Sequence, residues 1–176
     1  MTEPQTVILD GEAIGRALVR IAHEIREAHP ELEEVVMVGI RSRGVQLAQR
    51  IAGRLGEFAG RAVPLGAIDI TPYRDDIDEP SERIEATSAD VPFAIDHRVV
   101  VLVDDVLSTG RTVRVALDVL AGLGRPRAIE VAVLVDRGNR EVPIRADYVG
   151  QNVRSGERRV HVRVRELDGA DEVTLR

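Results

Sequence analysis

Residues 99–112 read VVVLVDDVLSTGRT, and no other stretch restricts the fold of this chain as much. The run 99–103 is apolar without a break and mostly valine, the pattern of a strand covered on both faces inside a parallel sheet. Two carboxylates, Asp104 and Asp105, follow it directly. Ser108, Thr109, Gly110, Arg111 and Thr112 then make a turn into a segment whose apolar period predicts a helix over 110–123. Open parallel sheets bind ligands beyond the carboxyl ends of their strands, so the acids and the turn belong to one site. The N–H groups and dipole of a helix N-terminus, joined by three hydroxyls, hold a phosphate without a lysine. Acids beside a phosphate cradle suit a sugar phosphate, the carboxylates accepting from ribose hydroxyls. On the residues alone, plainer readings stay open: solvated caps, or the acidic pair of a phosphorelay receiver. A receiver carries that pair near its start, whereas this one lies past the middle of 176 residues.

The remaining patterns alternate between helical periods and short β-branched runs, which predicts an α/β fold with a mostly parallel sheet and helices on both faces. Residues 1–176 are expected to form a single domain. The first helix is predicted over 11–29, with Ile14, Ala17, Leu18, Ile21, Ala22 and Ile25 on one stripe, Asp10 as N-cap and Pro30 as stop. Arg16, Arg20 and His23 lie opposite that stripe, either as a solvated face or as an anion-contacting one. Strands are predicted at 35–40, 67–70, 129–135, near Tyr148 and at 160–164, with a second helix over 45–55. The segment 71–97 has three prolines, many acids and no sustained period, and reads as a long loop.

Composition removes several chemistries. There is no cysteine, which excludes disulfides, thiolate catalysis and cysteine-type zinc sites. Every basic residue is arginine, so Schiff-base chemistry and a Walker-type phosphate loop are excluded as well. The net charge of -6 is unevenly placed: residues 137–165 carry eight arginines against Glu141, Asp147 and Glu157, while residues 69–90 carry eight acids against Arg74 and Arg83. A basic region of about 136–165 thus follows an acidic middle. No secretory pattern opens the sequence and no apolar run reaches the ~20 residues of a membrane span, so a cytoplasmic setting without membrane contact is expected.

VDDVLSTGRT resembles the phosphoribosyl diphosphate signature of the type I phosphoribosyltransferases. VILDGEAIGRALVRIAHEI, VGIRSRG, IDITPYRDD and AVLVDRGNREVPIRADYVG, in that order across residues 7–152, resemble one branch of that family. The branch is that of the bifunctional pyrimidine-operon attenuation regulators with uracil phosphoribosyltransferase activity. The resemblance implies a type I phosphoribosyltransferase fold with a small hood over about 136–165 and a mobile loop over about 71–97. The activity implied is transfer of phosphoribosyl from phosphoribosyl diphosphate to uracil, giving UMP and pyrophosphate.

By the same resemblance, Asp104 and Asp105 hold the ribose hydroxyls, and Ser108, Thr109, Gly110, Arg111 and Thr112 bind the 5-phosphate. Val103, Val106 and Leu107 complete that donor-binding stretch. Arg41, Ser42 and Arg43 match the pyrophosphate loop, where guanidinium groups also suit phosphate oxygens on their own chemistry. On residues alone, Arg41 and Arg43 also read as surface charge. Arg74, beside Tyr73, Asp75 and Asp76, is aimed at the leaving pyrophosphate by the loop, with a flexible acidic linker as the lesser reading of the same residues. Arg74, Asp104 and Asp105 are thus the implied catalytic group. Mg2+ bound to diphosphate and ribose oxygens is the implied cofactor, with no metal cage from the protein alone.

The resemblance places the base against Val135, Asp136, Arg137, Tyr148 and Val149. The Tyr148 ring is a stacking platform or an ordinary half-buried core residue. Purine-using relatives carry an acid where this chain has Ser108, which favours a pyrimidine. The regulatory role implies binding of attenuator mRNA, promoted by uridine nucleotide, through Arg20, His23, Arg140 and Arg145. It also implies a homodimer or larger homo-oligomer. Ser108, Asn139 and Gln151 depart from the family pattern. Two other outcomes stay open: a nucleotide-sensing RNA regulator with weak catalysis, and a phosphoribosyltransferase for another base without an RNA role.

Overall fold

The computed structural model describes residues 5–70, 88–154, 156 and 158–176. In chain order the elements are β1 (Thr6–Leu9), α1 (Gly11–Ala28), β2 (Val35–Ile40), α2 (Arg43–Ala59), β3 (Leu65–Asp69), β4 (Ser88–Asp90) and β5 (Val99–Leu107). They continue with α3 (Arg111–Leu123), β6 (Ala128–Asp136), β7 (Tyr148–Asn152), β8 (Val160–Arg163), α4 (Arg165–Asp168) and β9 (Glu172–Leu175).

Six strands form the main sheet in the order β4-β3-β2-β5-β6-β7, all parallel except the edge strand β4. Its apolar side chains alternate between two cores, as the period of a strand requires. Val99, Val101 and Val103 face α1 and α2, while Val100 and Leu102 join Val113, Ala116 and Leu120 of α3 on the other side. Helices therefore cover both faces, as the sequence predicts. The α1 stripe is buried residue for residue, and the Ala13 N–H donates to Asp10 Oδ1 at 2.8 Å.

Several boundaries move. Strand β5 continues through Leu107, so Asp104 and Asp105 sit within it and not past its end. Helix α2 begins at Arg43 and ends at Ala59, longer than 45–55. Its end comes at Gly60, whose φ of 66° no β-carbon favours. The predicted loop 71–97 is shortened from its far side, since Ser88–Asp90 pairs antiparallel with β3 and Ile95 is buried. Residues 71–87 lie outside the described residues.

The hood is a three-stranded antiparallel sheet in the order β1-β9-β8. It does not coincide with 136–165, because two of its strands come from near the chain ends: Thr6 pairs with Leu175, and Val162 with Val173. Strand β9 is its centre, with Val173, Thr174 and Leu175 buried.

Candidate active site

The site begins with two close backbone approaches. A β-carbon on Gly39, in β2, would lie 2.5 Å from Val45 Cα, and one on Gly44, in the first turn of α2, would lie 2.5 Å from the Val103 carbonyl oxygen. Glycine at both positions lets the turn 41–44 press onto β5 beside Asp104. The Arg41–Ser42 peptide in that turn is cis.

Alternation along β5 breaks at the two acids: Val103 and Val106 both pack toward α1 and α2, while Leu107 packs toward α3. The interruption lets both carboxylates line one cleft. Each is steadied by the next backbone N–H, with Asp105 N to Asp104 Oδ1 at 2.8 Å and Val106 N to Asp105 Oδ1 at 2.9 Å. Asp104 is buried, and Asp105 is half-buried.

The turn into α3 has no side-chain cap; Gly110 is the N-cap residue, with φ 90°. Thr109 Oγ1 accepts from Arg111 N at 3.2 Å. The turn is buttressed from residues 140–142, where Glu141 N donates to the Thr109 carbonyl at 2.9 Å and Arg140 Nη1 to the Ser108 carbonyl at 2.9 Å. Because Gly110 offers no side chain, the first-turn N–H groups of α3 after Arg111 remain for an anion.

The cleft has a volume of about 410 Å3, with Asp104, Asp105, Ser108, Thr109 and Thr112 on one side and Arg43 on another. The hood closes it with Arg159, Val160, His161 and Val162. These four were not recognised in the sequence. Their signal was the alternation R-V-H-V-R at 159–163, which reveals a strand but not the surface it faces. Burial, then Arg176, Arg159 and Arg43, hold the His161 imidazole below its ordinary pKa, so it is neutral at pH 7.

The other expected site residues are scattered. Arg41 and Ser42 are exposed in the turn before Arg43, and Val103 and Leu107 are buried beneath the cleft. Arg111 turns aside to pair with Glu141 at 2.5 Å. Of the expected base contacts, Arg137 lines the cleft; Val135 is buried in the core. Asp136 accepts from Gly138 N at 2.9 Å and from Arg140 Nη2 at 2.6 Å.

Tyr148 does not offer its ring to this cleft. It opens β7 opposite Ala132, toward the amino ends of the parallel strands, is buried, and its hydroxyl donates to Glu130 Oε2 at 2.6 Å. Glu130 also meets His29 Nε2 at 2.9 Å. Burial, then Glu130, raises the Tyr148 pKa, as for a phenol whose proton is held. Val149, opposite Val133, is likewise short of the carboxyl end, where Gln151 and Asn152 stand opposite Val135 and Asp136. Arg74 lies outside the described residues.

Of the expected RNA contacts, Arg20 and His23 line an open groove of about 670 Å3 with Arg16, Val19 and Arg54. Arg20 also donates to the Val149 and Gly150 carbonyls, and His23 packs on Phe58 with ring centroids 4.9 Å apart. Arg145 is exposed. Arg140 differs from what was expected of it: Nε donates to the Ile144 carbonyl at 2.5 Å, Nη1 to Ser108 and Nη2 to Asp136, so its guanidinium is engaged within the protein.

No group of three His, Cys, Asp or Glu side chains among the described residues could hold a metal ion. No helix among them is long and apolar enough to cross a membrane.

Comparison with known proteins bears on this geometry. The phosphoribosyl transferase domain family matches residues 4–165. The bifunctional protein PyrR of Pelotomaculum thermopropionicum is 52% identical over 99% of this chain and 97% of that protein. The bifunctional protein PyrR of Chloroflexus aurantiacus is 57% identical over 96% of this chain and 93% of that one. Among solved structures, the hypoxanthine phosphoribosyltransferase of Trypanosoma cruzi matches with a TM-score of 0.74 at 16% identity, covering 97% of this chain and 95% of that one. At that identity the likeness is one of fold.

Proposed function

Because this chain belongs to the phosphoribosyl transferase family and, within it, to the bifunctional PyrR proteins, we propose that it transfers phosphoribosyl from phosphoribosyl diphosphate to uracil and regulates pyrimidine genes by binding attenuator mRNA. The observation that carries the enzymatic half is the single cleft in which Asp104, Asp105, the α3 N-terminus and Arg43 meet beneath the hood. The two carboxylates accept from the ribose hydroxyls, which fixes the anomeric carbon in place. The Ser108–Thr112 turn binds the 5-phosphate with N–H groups, hydroxyls and the helix dipole. Arg43, with the turn before it, binds the diphosphate, and Arg74 is assigned to the same leaving group.

A uracil ring nitrogen attacks the anomeric carbon as the bond to pyrophosphate breaks, and the ring proton is released to water. No nucleophilic side chain is needed, only positioning and charge stabilisation. Arg159, Val160, His161 and Val162 of the hood close the side of the cleft where a flat base would sit. The adjacent carboxylates Asp104 and Asp105 would help hold Mg2+ brought in with the donor, and the ion would supply neutralisation of charge on the diphosphate.

For the regulatory half, Arg20, His23 and Arg145 supply exposed basic groups for RNA, on a homodimer or larger assembly in the cytoplasm. Arg140 contributes through the shape of the 137–145 segment.

The test is UMP formation from phosphoribosyl diphosphate and Mg2+, offering uracil, orotate and hypoxanthine in parallel, with the Asp104→Asn, Asp105→Asn double variant as control. Uracil-specific turnover lost in the variant is expected, and failure of every base to react overturns the enzymatic reading. Attenuator RNA binding with and without UMP tests the other half: tighter binding with UMP is expected, and indifference to it overturns nucleotide-dependent regulation.

A further inference from the structure

Arg43 opens α2 and lines the cleft, yet its guanidinium is gripped by the far end of the chain. Its Nε donates to Asp168 Oδ2 at 3.1 Å and its Nη2 to Asp168 Oδ1 at 2.8 Å, a two-pronged pair. Asp168 is itself immobilised: Oδ2 accepts from Val164 N at 2.8 Å, and its carbonyl accepts from Arg163 Nη2 at 3.1 Å. Two turns further along the same face of α2, Arg50 holds Glu166 at 2.6 Å and Asp171 at 2.7 Å. Residues 165–171 are therefore fastened to α2 at two levels, and the level nearer the cleft ends on Arg43.

An arginine side chain on a helix samples many rotamers, whereas a two-pronged carboxylate removes most of that freedom. The chelate uses Nε and one N–H of Nη2 and leaves the Nη1 edge for a second anion. The pair is partly shielded, with side-chain exposures of 30% for Arg43 and 19% for Asp168, so it persists better than a surface ion pair. The Arg43 guanidinium also holds the Asp168 carboxyl below the usual aspartate range, consistent with an ionised partner at any working pH.

We propose that Asp168 is a positioning residue for phosphoribosyl transfer: it presets Arg43 at the cleft so that its free edge meets the diphosphate of the donor. The proposal rests on the reading of the cleft given above. It makes the C-terminal turn, which looks like a mere closing segment, part of donor recognition.

The test separates the diphosphate from the rest of the site. UMP has no diphosphate and depends on the 5-phosphate turn, the ribose acids and the hood. Titration calorimetry of the full chain with pyrophosphate, phosphoribosyl diphosphate and UMP, each with Mg2+, compares wild type with Asp168→Asn and Asp168→Glu. In Asp168→Asn, affinity for both diphosphate ligands is expected to fall about tenfold, with a matching rise in KM for the donor, a smaller change in kcat, and UMP affinity within twofold. Asp168→Glu, which keeps the charge, is expected to recover part of the loss. The Glu166→Gln, Asp171→Asn variant loosens the turn without touching the chelate, and is expected to lower the melting temperature without the split between ligands.

Equal loss of UMP and diphosphate affinity in Asp168→Asn, or the same split in the Glu166→Gln, Asp171→Asn variant, overturns the proposal in favour of a structural role. Unchanged or tighter diphosphate binding overturns it in favour of simple competition for Arg43. If Asp168→Asn does not fold, Asp168→Glu decides on the same criterion. Wild-type protein that binds neither donor nor UMP overturns the reading of the cleft itself.

Discussion

The Arg140 guanidinium donates to the Ser108 carbonyl at 2.9 Å, tying the segment after β6 to the turn that opens α3. The same side chain reaches Asp136 and the Ile144 carbonyl, so one arginine sets the spacing between the turn into α3 and the end of β6.

Arg140→Gln is accordingly expected to impair both activities. The glutamine amide cannot span three acceptors, and a half-buried carboxylate at Asp136 loses its charged partner. Steady-state kinetics should show KM for the donor raised several-fold, whereas Arg145→Gln, altering an exposed residue, should leave KM alone. Unchanged donor kinetics in Arg140→Gln, with only RNA affinity reduced, would show that its internal contacts do not shape the site.

Gly44→Ala is the second prediction. The added methyl would meet the Val103 carbonyl oxygen at 2.5 Å, and both partners are backbone of a buried strand and a helix start. Overpacking of this kind costs about 1–3 kcal/mol. Urea unfolding should register that loss, and the displaced turn 41–43 should weaken pyrophosphate binding more than UMP binding. A variant as stable as wild type would mean that α2 can slide away from β5.

Much of this was legible because its signals are local. The α1 stripe, the Asp10 cap and the valine run at 99–103 each follow from spacing alone, and the hydroxyl-rich turn into α3 follows from the residues after that run. What was not legible depends on partners distant in sequence. Nothing in V-R-E-L-D-G at 164–169 indicates that Asp168 meets Arg43, and nothing at Thr6 indicates pairing with Leu175. Tyr148 was ambiguous because a strand's period gives two faces but not which end of the strand lies beneath the ligand. Arg140 reads as an exposed cation for the same reason: its three acceptors are carbonyl and carboxylate groups whose placement only the fold decides.

Tyr148→Phe tests that assignment. Removing the hydroxyl takes one donor from Glu130 while His29 remains beside it, so stability is expected to fall by about 1–2 kcal/mol. The uracil KM should not move, since the ring lies away from the cleft. A several-fold rise in that KM with unchanged stability would return Tyr148 to the base site.

The last prediction concerns acid. Asp168 and Glu166 are held below their ordinary pKa values chiefly by Arg43 and Arg50 respectively; for Asp171, burial is the largest single influence and pushes upward, but the Arg50 bond, the Arg165 N–H and the charges of Arg50 and Arg165 together outweigh it. A carboxyl whose folded pKa is depressed binds fewer protons folded than unfolded, so its stabilisation is complete above the unfolded value and is lost as pH falls through the folded one. Unfolded values are 3.8 for Asp and 4.5 for Glu, which places the window below about pH 5. The unfolding free-energy difference between wild type and the Glu166→Gln, Asp168→Asn, Asp171→Asn variant should therefore be constant from pH 5 to 7 and should shrink steadily below pH 5. Because the three sites share two arginines, their losses overlap and the single variants should not sum to the triple. A difference independent of pH down to 2 would mean that these acids act by packing and not by charge. The C-terminal turn would then be fastened to α2 by shape alone.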